Sequence, residues 1–383
     1  VDFLEFASQG ERPDPETITR WKTYGTDLPE LIAPYLEEDL PQLVNRYAYI
    51  ETSRGCPYLC SFCLSALDEK VRYFDEAVIQ QQLKMLIDSG VRKFKFVDRT
   101  FNLNPKRMKR LVGWLSQFED REFHFEVVGD ILSEDMLDFL STVPKGVFQF
   151  EIGVQTFDPE IQGLISRRQD NVKTVENLQW LRENTGAHLH TDLIFGLPGD
   201  SLDNFATSFD KLALLRPQEI QLGILKRLRG APLNRHNEEY QLRFNPNPPY
   251  NILSTRDIDF ATMQRVNRFA RYWDVIANSG RFTHTLPLLL GDRPFQRFLV
   301  ASDNLFQTTG STWKIALRRQ FDLLYVAMTE GLGIDKSKAL AVLQKDFVRA
   351  GLKGELNFPQ DLSAEKIKPG KGVANKRQKI HQG

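Results

Sequence analysis

Cysteine is nearly absent from this chain, with three in 383 residues. A small odd number excludes a disulfide framework, and reduced thiols suit a reducing, cytoplasmic setting. No apolar run approaches the roughly eighteen residues a membrane-spanning helix needs. The stretch 286–290 is too short and contains Pro287. Charge of one sign is missing as well. Lys+Arg and Asp+Glu stand at 50 each, so bulk charge gives no case for nucleic acid or an anionic membrane surface. There is no signal peptide, and the chain begins at Val1, so a trimmed fragment with an upstream domain lost is expected. What is present is a hydrophobic content of 41% with 27 Phe, ample for a packed core. The length suits one large domain with an appendage, or two ordinary domains.

The three cysteines sit together as Cys56-Pro57-Tyr58-Leu59-Cys60-Ser61-Phe62-Cys63. Structural zinc is closed by four ligands, so a zinc knuckle here would need a distant His or Asp. A cubane iron–sulfur cluster is usually held by four thiolates, and three would leave one iron open to a non-protein ligand. Pro57 cannot continue a helix or a ladder, so the chain turns after Cys56. Phe62 places an aromatic ring beside a cluster or its ligand. The stretch from Arg54-Gly55-Cys56 to Cys63 resembles the cluster loop of the radical S-adenosylmethionine (SAM) superfamily. That resemblance implies a [4Fe-4S] cluster on Cys56, Cys60 and Cys63, with SAM chelated at the open iron. One electron would then split SAM to methionine and a 5′-deoxyadenosyl radical.

Residues 1–46 are polar and proline-punctuated, a lead-in with one helix expected over 18–24. An alternation follows. β-rich runs at 47–52, 93–98, 124–128, 147–153, 188–195 and 219–225 are separated by helical patterns at 75–89, 105–118, 134–141, 172–184 and 202–215. Asn104-Pro105 reads as an N-cap with proline at the first helical position, and Gly90 as a helix stop. This order calls for parallel pairing with helices outside. Spacing leaves a doubly wound sheet as a rival, and the resemblance decides for a partial (β/α)6 barrel over 47–230. In that fold chemistry sits at the carboxyl ends of strands, and the cysteine loop follows the first strand. After Gly230, helical patterns at 257–278, 313–330 and 336–350 predict a smaller, mainly helical C-terminal domain over 231–365. The tail 366–383 is basic and reads as a solvated end.

Polar residues recur at the strand ends. Asp98, in Phe96-Val97-Asp98-Arg99-Thr100, stands where the superfamily often carries Gly-Gly-Glu, and a carboxylate there could accept from an ammonium. The bland reading is an exposed Asp98–Arg99 pair. The runs around Glu126, Gln155, Arg167 and Asp192 are similar to oxygen-independent coproporphyrinogen oxidases. That likeness implies Glu126 and Arg167 at the amino-acid end of SAM, and Gln155 and Asp192 at its ribose hydroxyls. His188 and His190 alternate on one strand, and a strand-face role is expected over a metal site. The turn Lys226-Arg227-Leu228-Arg229-Gly230 could hold an anion or simply be solvated.

Glu51 to Cys56, Lys95 to Asn102 and Gln221 to Lys226 resemble cobalamin-binding radical SAM proteins with their own C-terminal domain. No Asp-x-His-x-x-Gly cobalamin signature occurs, so cobalamin is implied by kinship alone and would bind a part outside this chain. The expected activity is reductive SAM cleavage acting on an unknown substrate, with methyl transfer where cobalamin is used. An RNA-modifying radical enzyme and a non-enzymatic electron-transfer or sensing protein are the alternatives. A low-potential donor such as flavodoxin or ferredoxin is an expected partner; membrane and nucleic acid are not.

Overall fold

The computed structural model describes residues 34–353 and Leu356. The helix expected over 18–24 and the basic tail 366–383 lie outside the described residues. Six strands form one sheet: β1 Tyr47–Ile50, β2 Lys93–Phe96, β3 Glu122–Val127, β4 Phe148–Gln155, β5 His188–Phe195 and β6 Glu219–Ile224. Every pairing is parallel, and the spatial order follows the chain without reversal. A doubly wound sheet reverses its strand order at a switch point, so that rival is excluded. Crossovers of this kind are right-handed. Five stepping the same way place their helices on one face and curl the sheet into an open barrel.

The strand sequences show why this sheet has two unlike faces. A parallel sheet covered on both sides reads as continuous apolar runs. Here β2 reads KFKF, β3 EFHFEV and β4 FQFEIGVQ, alternating with period two. Phe94, Phe96, Phe123, Phe125, Phe148 and Phe150 fall on the helix-covered face and are fully buried. They stack across strands, with ring centroids 5.2 Å apart for Phe94–Phe123 and 4.4 Å for Phe96–Phe125. Burying each such ring stabilises by about 2–3 kcal/mol. Lys95, His124, Gln149, Glu151 and His190 take the opposite face, which is the lumen.

The covering helices are α1 Glu76–Asp88, α2 Pro105–Leu115, α3 Glu134–Ser141, α4 Pro159–Leu164, α5 Asn171–Asn184 and α6 Leu202–Leu214. Their starts follow capping chemistry. Asp75 accepts from the backbone of Ala77 and Val78, and Asn104 accepts from Arg107 ahead of Pro105. The α4 helix is an addition to the sequence reading. Its signal was the pair Asp158-Pro159, where Asp158 caps Glu160 and Ile161.

The C-terminal region is helical, with α7 Phe260–Ile276, α8 Thr285–Leu290, α9 Pro294–Thr309, α10 Leu317–Val326 and α11 Lys336–Arg349. The helices α8 and α9 were not expected, and the helix expected over 313–330 starts later and ends in a π-helical turn, Ala327–Gly331. Buried Asp346 fastens α8 to α11, accepting from the backbone of His284 and Thr285 and from the Thr285 hydroxyl. This region shares one core with the barrel. Phe209 of α6 packs against Trp273 at 4.8 Å and Phe295 at 5.7 Å. The Asn278 side chain donates to Ile220 O and accepts from Ile220 N at 2.9 and 3.0 Å. It thereby extends the hydrogen-bonding of the β6 edge without another strand.

Candidate cofactor-binding site

The cysteine loop leaves β1 at the carboxyl end of the sheet and is pinned on three sides. A short antiparallel pairing joins Ser53–Arg54 to Arg72–Tyr73, and Cys56 N donates to Asp68 O at 2.9 Å. Gly55, at φ +96°, lies so close to the Lys70 carbonyl that a Cβ would approach its oxygen to 2.3 Å. Only glycine fits there. Further along, Ser61 N donates to Ile165 O and Leu233 N donates to Ser61 O, both at 2.8 Å. Cys56 and Cys60 are buried and Cys63 half-buried.

All three cysteines line a cavity of about 240 Å³ at the mouth of the barrel. Its other walls bring together Phe62, Glu126 from β3, Glu151, Gly153 and Gln155 from β4, Asp192 from β5, Arg99 and Arg167. Of the residues expected to hold the cluster or SAM, only Asp98 is not brought there. Asp98 is 1% exposed and accepts from Thr52 N at 2.9 Å, the Thr52 hydroxyl at 2.7 Å and the Ser53 hydroxyl at 2.6 Å. It ties the end of β2 to the segment entering the cysteine loop, and burial raises its pKa. The side chain pointing to the cavity is its neighbour Arg99, which pairs with Glu126 at 3.2 Å and not with Asp98. Successive residues leave a strand on opposite faces, and the polar neighbour of the expected residue took the cavity side.

Gln155 reaches the cavity through a local break in the ladder. The register between β4 and β5 shifts at Gly153/Gln155, and Gln155 has φ +67°. Bulges of this kind re-aim a side chain beside a site. The absence of a Cβ at Gly153 makes room, since one would stand 2.4 Å from Gln155 Nε2. Arg167 links the walls. It donates to Gly153 O, to Gln169 Oε1 at 3.0 Å, and lies 3.7 Å from Cys60 Sγ.

Below the mouth the lumen holds charges that sequence reading passed over. Glu151 lies 2.7 Å from His124 Nε2 and 3.1 Å from Lys95 Nζ. Burial works against its ionisation, but the His124 hydrogen bond and the charges of His190 and Lys95 hold it down at about 2. Burial raises the Glu126 pKa, with Arg99 opposing. His190 stands 3.3 Å from Asp192, and His188 stands 3.1 Å from Glu219, so each strand histidine faces its own carboxylate. The period-two alternation of β2 to β5 was the signal that could have identified Lys95, His124 and Glu151 as lumen residues.

The donor set, three thiols from one loop lining one cavity, suits an iron–sulfur cluster. Burial pushes the Cys56 and Cys60 thiols up, against Arg167 at Cys60. Ionising such buried sulfurs calls for cationic charge of the kind a bound metal supplies. Among the described residues, no three His, Cys, Asp or Glu side chains converge as ligands of one metal ion. A cubane binds each thiolate at a different iron and needs no such convergence.

Residues 50–212 match the family described as the Radical SAM superfamily, and residues 238–380 match one described as a protein of unknown function (DUF4080). An oxygen-independent coproporphyrinogen III oxidase of Paracoccus denitrificans is 33% identical over 181 residues, which is 44% of this chain and 40% of that protein. The cobalamin-dependent radical SAM methyltransferase TokK of Streptomyces tokunonensis is 26% identical over 53% of this chain and 31% of its own. The chain therefore spans less than half the length of the curated relatives it matches. Among solved structures, the radical SAM methyltransferase TsrM of Kitasatospora setae, with cobalamin and a [4Fe-4S] cluster bound, aligns at a TM-score of 0.48. That alignment has 16% identity over 58% of this chain and 47% of that one. Among the described residues no helix is long and apolar enough to cross a membrane. Residues 50–212 are thus a radical SAM domain, of the superfamily that uses a [4Fe-4S] cluster and S-adenosylmethionine.

Proposed function

We propose that this chain is the radical-generating part of an enzyme that cleaves SAM reductively and acts on a substrate held over the barrel mouth. The observation that carries the reading is the shared cavity, with Cys56, Cys60 and Cys63 on one side and Glu126, Gln155, Arg167 and Asp192 on the others. When bound, a [4Fe-4S] cluster and SAM supply one electron and a primary carbon radical able to abstract hydrogen. The chain's own residues do the holding. On this reading the three thiolates ligate the cluster, and Arg167 forks onto a carboxylate while Glu126 accepts from an ammonium. Gln155 and Asp192 supply the donors and acceptors a ribose diol needs. Burial on the barrel side keeps water from the reacting carbon.

The division follows the same line. Residues 47–230 form the radical-generating core, and 231–365 contribute the substrate side. A second cavity of about 350 Å³ between β6 and α7, lined by His190, Gln221 and Arg271 among others, supports that division. The TokK match favours methyl transfer as the outcome, with cobalamin supplied by a part outside this chain.

The test is anaerobic. Reconstituted protein is given SAM and dithionite, and 5′-deoxyadenosine is quantified against S-adenosylhomocysteine, with Cys60→Ala as control. Cluster-dependent 5′-deoxyadenosine, lost by at least about a hundredfold in Cys60→Ala, is expected. Background levels from a protein carrying a full cluster would sink the reading for this chain.

A further inference from the structure

We propose that the seam between the foot of β6 and the C-terminal helices is a binding site for a small amphipathic anion, with a carboxylate or phosphate head on a short apolar body. The seam holds a cavity of about 460 Å³, larger than the one at the barrel mouth. It lies at the amino end of the strand, beside Pro217, Gln218 and Ile220. The cysteine loop stands at the carboxyl ends, and the length of a six-residue strand, about 20 Å, separates the two ends. A ligand in the seam therefore does not touch the cluster site.

The charged lining is of one sign. Arg182 near the end of α5, Arg216 after α6 and Arg349 at the end of α11 line the cavity, and no Asp or Glu does. Arg182 Nε donates to Arg216 O at 2.9 Å, which ties the two barrel-side arginines together. Arg349 is fixed on the C-terminal wall, donating to Gly280 O at 2.7 Å and to the Thr283 hydroxyl at 3.0 Å. Among the described residues neither Arg182 nor Arg216 has a carboxylate partner. The acids around the seam are mostly engaged: Asp210 with Phe295 N, Asp346 with α8 and Glu219 with His188. Two exposed acids stand near the rim, Glu183, which accepts from Gln179, and Asp292, which is followed by exposed Arg293.

The backbone supports the same assignment. Arg216 has φ +53°, in the left-handed region that favours glycine, directly after a helix, where glycine is the usual stop. A guanidinium thus lines the cavity at a position whose backbone favours no side chain. Trp273, 4% exposed, lines the inner wall, and its indole N–H has no hydrogen-bond partner. Buried donors are normally paired, and an acceptor from a ligand would pair this one. The apolar walls come from Leu214, Leu286, Leu290, Pro217, Pro287 and Pro294. Arginine forks select carboxylate or phosphate oxygens, and apolar walls select the body that carries them. A ligand so held joins the ends of α5 and α6 to α8 and α11 and fastens the C-terminal region to the barrel.

The experiment uses the reconstituted full chain, with octanoate and octyl phosphate as probes. Inorganic phosphate supplies a head without a body, and octanol a body without a head. Binding is followed by calorimetric titration and by melting temperature. At least one octyl anion should bind with a dissociation constant below about 1 mM, raise the melting temperature and bind more weakly at high salt. The tighter of the two assigns the head group. Arg216→Gly removes the guanidinium and relaxes the backbone, so without probe it should melt close to wild type. Its affinity for the probe should nonetheless fall at least about tenfold. Arg349→Gln, on the other wall, should lose affinity to a similar extent, and excess SAM should displace nothing. Failure of both octyl anions to bind, octanol binding as tightly as they do, or unaltered affinity in both variants would overturn the site. Displacement by SAM would overturn it too, and inorganic phosphate binding as tightly as octyl phosphate would overturn the amphipathic assignment. Neither probe nor readout depends on radical chemistry, so the outcome stands apart from 5′-deoxyadenosine formation.

Discussion

Three carboxylates at strand ends show how one residue type takes different roles by placement. Asp98 is enclosed by Thr52 and Ser53 and serves the loop entry. Asp192 reaches the cavity. Asp200, after the glycine-rich turn following β5, is 2% exposed and accepts from Gly196 N and Ser201 N. Burial pushes its carboxyl up to about 8, against about 4 in an unfolded chain. The folded state thus binds the proton more tightly. Stability from this group is complete below about pH 4 and is lost as pH rises through about 8. Asp200→Asn removes that titration. The melting temperature of the variant relative to wild type should therefore climb steadily between about pH 5 and about pH 8, whatever its offset at the acid end. Parallel curves for the two proteins would show that Asp200 does not carry the dependence. Gly153 offers a second test at this scale. Gly153→Ala would crowd the movable end of Gln155, so stability should change little. SAM affinity of the oxidised, cluster-bearing protein should fall about tenfold, equivalent to about 1.4 kcal/mol. Wild-type SAM affinity would dissociate Gln155 from the ligand.

At the scale of elements, the strands and barrel helices were largely legible. The helix expected over 134–141 coincides with α3 Glu134–Ser141, and the strand over 188–195 with β5. Local chemistry was enough there, because caps such as Ser133 and Asp170 and the β-rich runs act within a few residues. The helices α8 and α9 escaped for the opposite reason. The first is six residues long and held by Asp346 from α11, sixty residues away. The second begins at Pro294 with no cap from its own N-cap residue; it is held by distant Asp210 of α6, which accepts from Phe295 N at 2.5 Å, and by burial of Phe295, Phe298 and Leu305. The β6 edge likewise depends on a distant partner. Asn278→Ala would leave the N–H and C=O of Ile220 without their partner, each costing about 1–3 kcal/mol. Urea unfolding should show a loss of that order, with faster amide exchange at Ile220. An unchanged midpoint would mean water replaces the side chain at no cost.

Across the whole molecule, the sequence by itself determined the cysteine loop, the strand–helix alternation and most of the polar strand ends. These are local: a C-x3-C-x2-C spacing, a period of two, a cap and a proline are written within a few residues. Tertiary structure alone decided which of those polar groups meet. The unreversed strand order chose the barrel over the doubly wound sheet, and strand curvature made a lumen in which Glu151, His124 and Lys95 come together from three strands. The bulge at Gly153/Gln155 turned one amide into the cavity, while pleating turned Arg99 toward it and Asp98 away. Arg182, Arg216 and Arg349 came onto one cavity only through folding. A side chain's type is set by the sequence, but the face it takes and the partners it meets depend on the direction each strand imposes. Those directions are fixed jointly by pairings between residues dozens of positions apart.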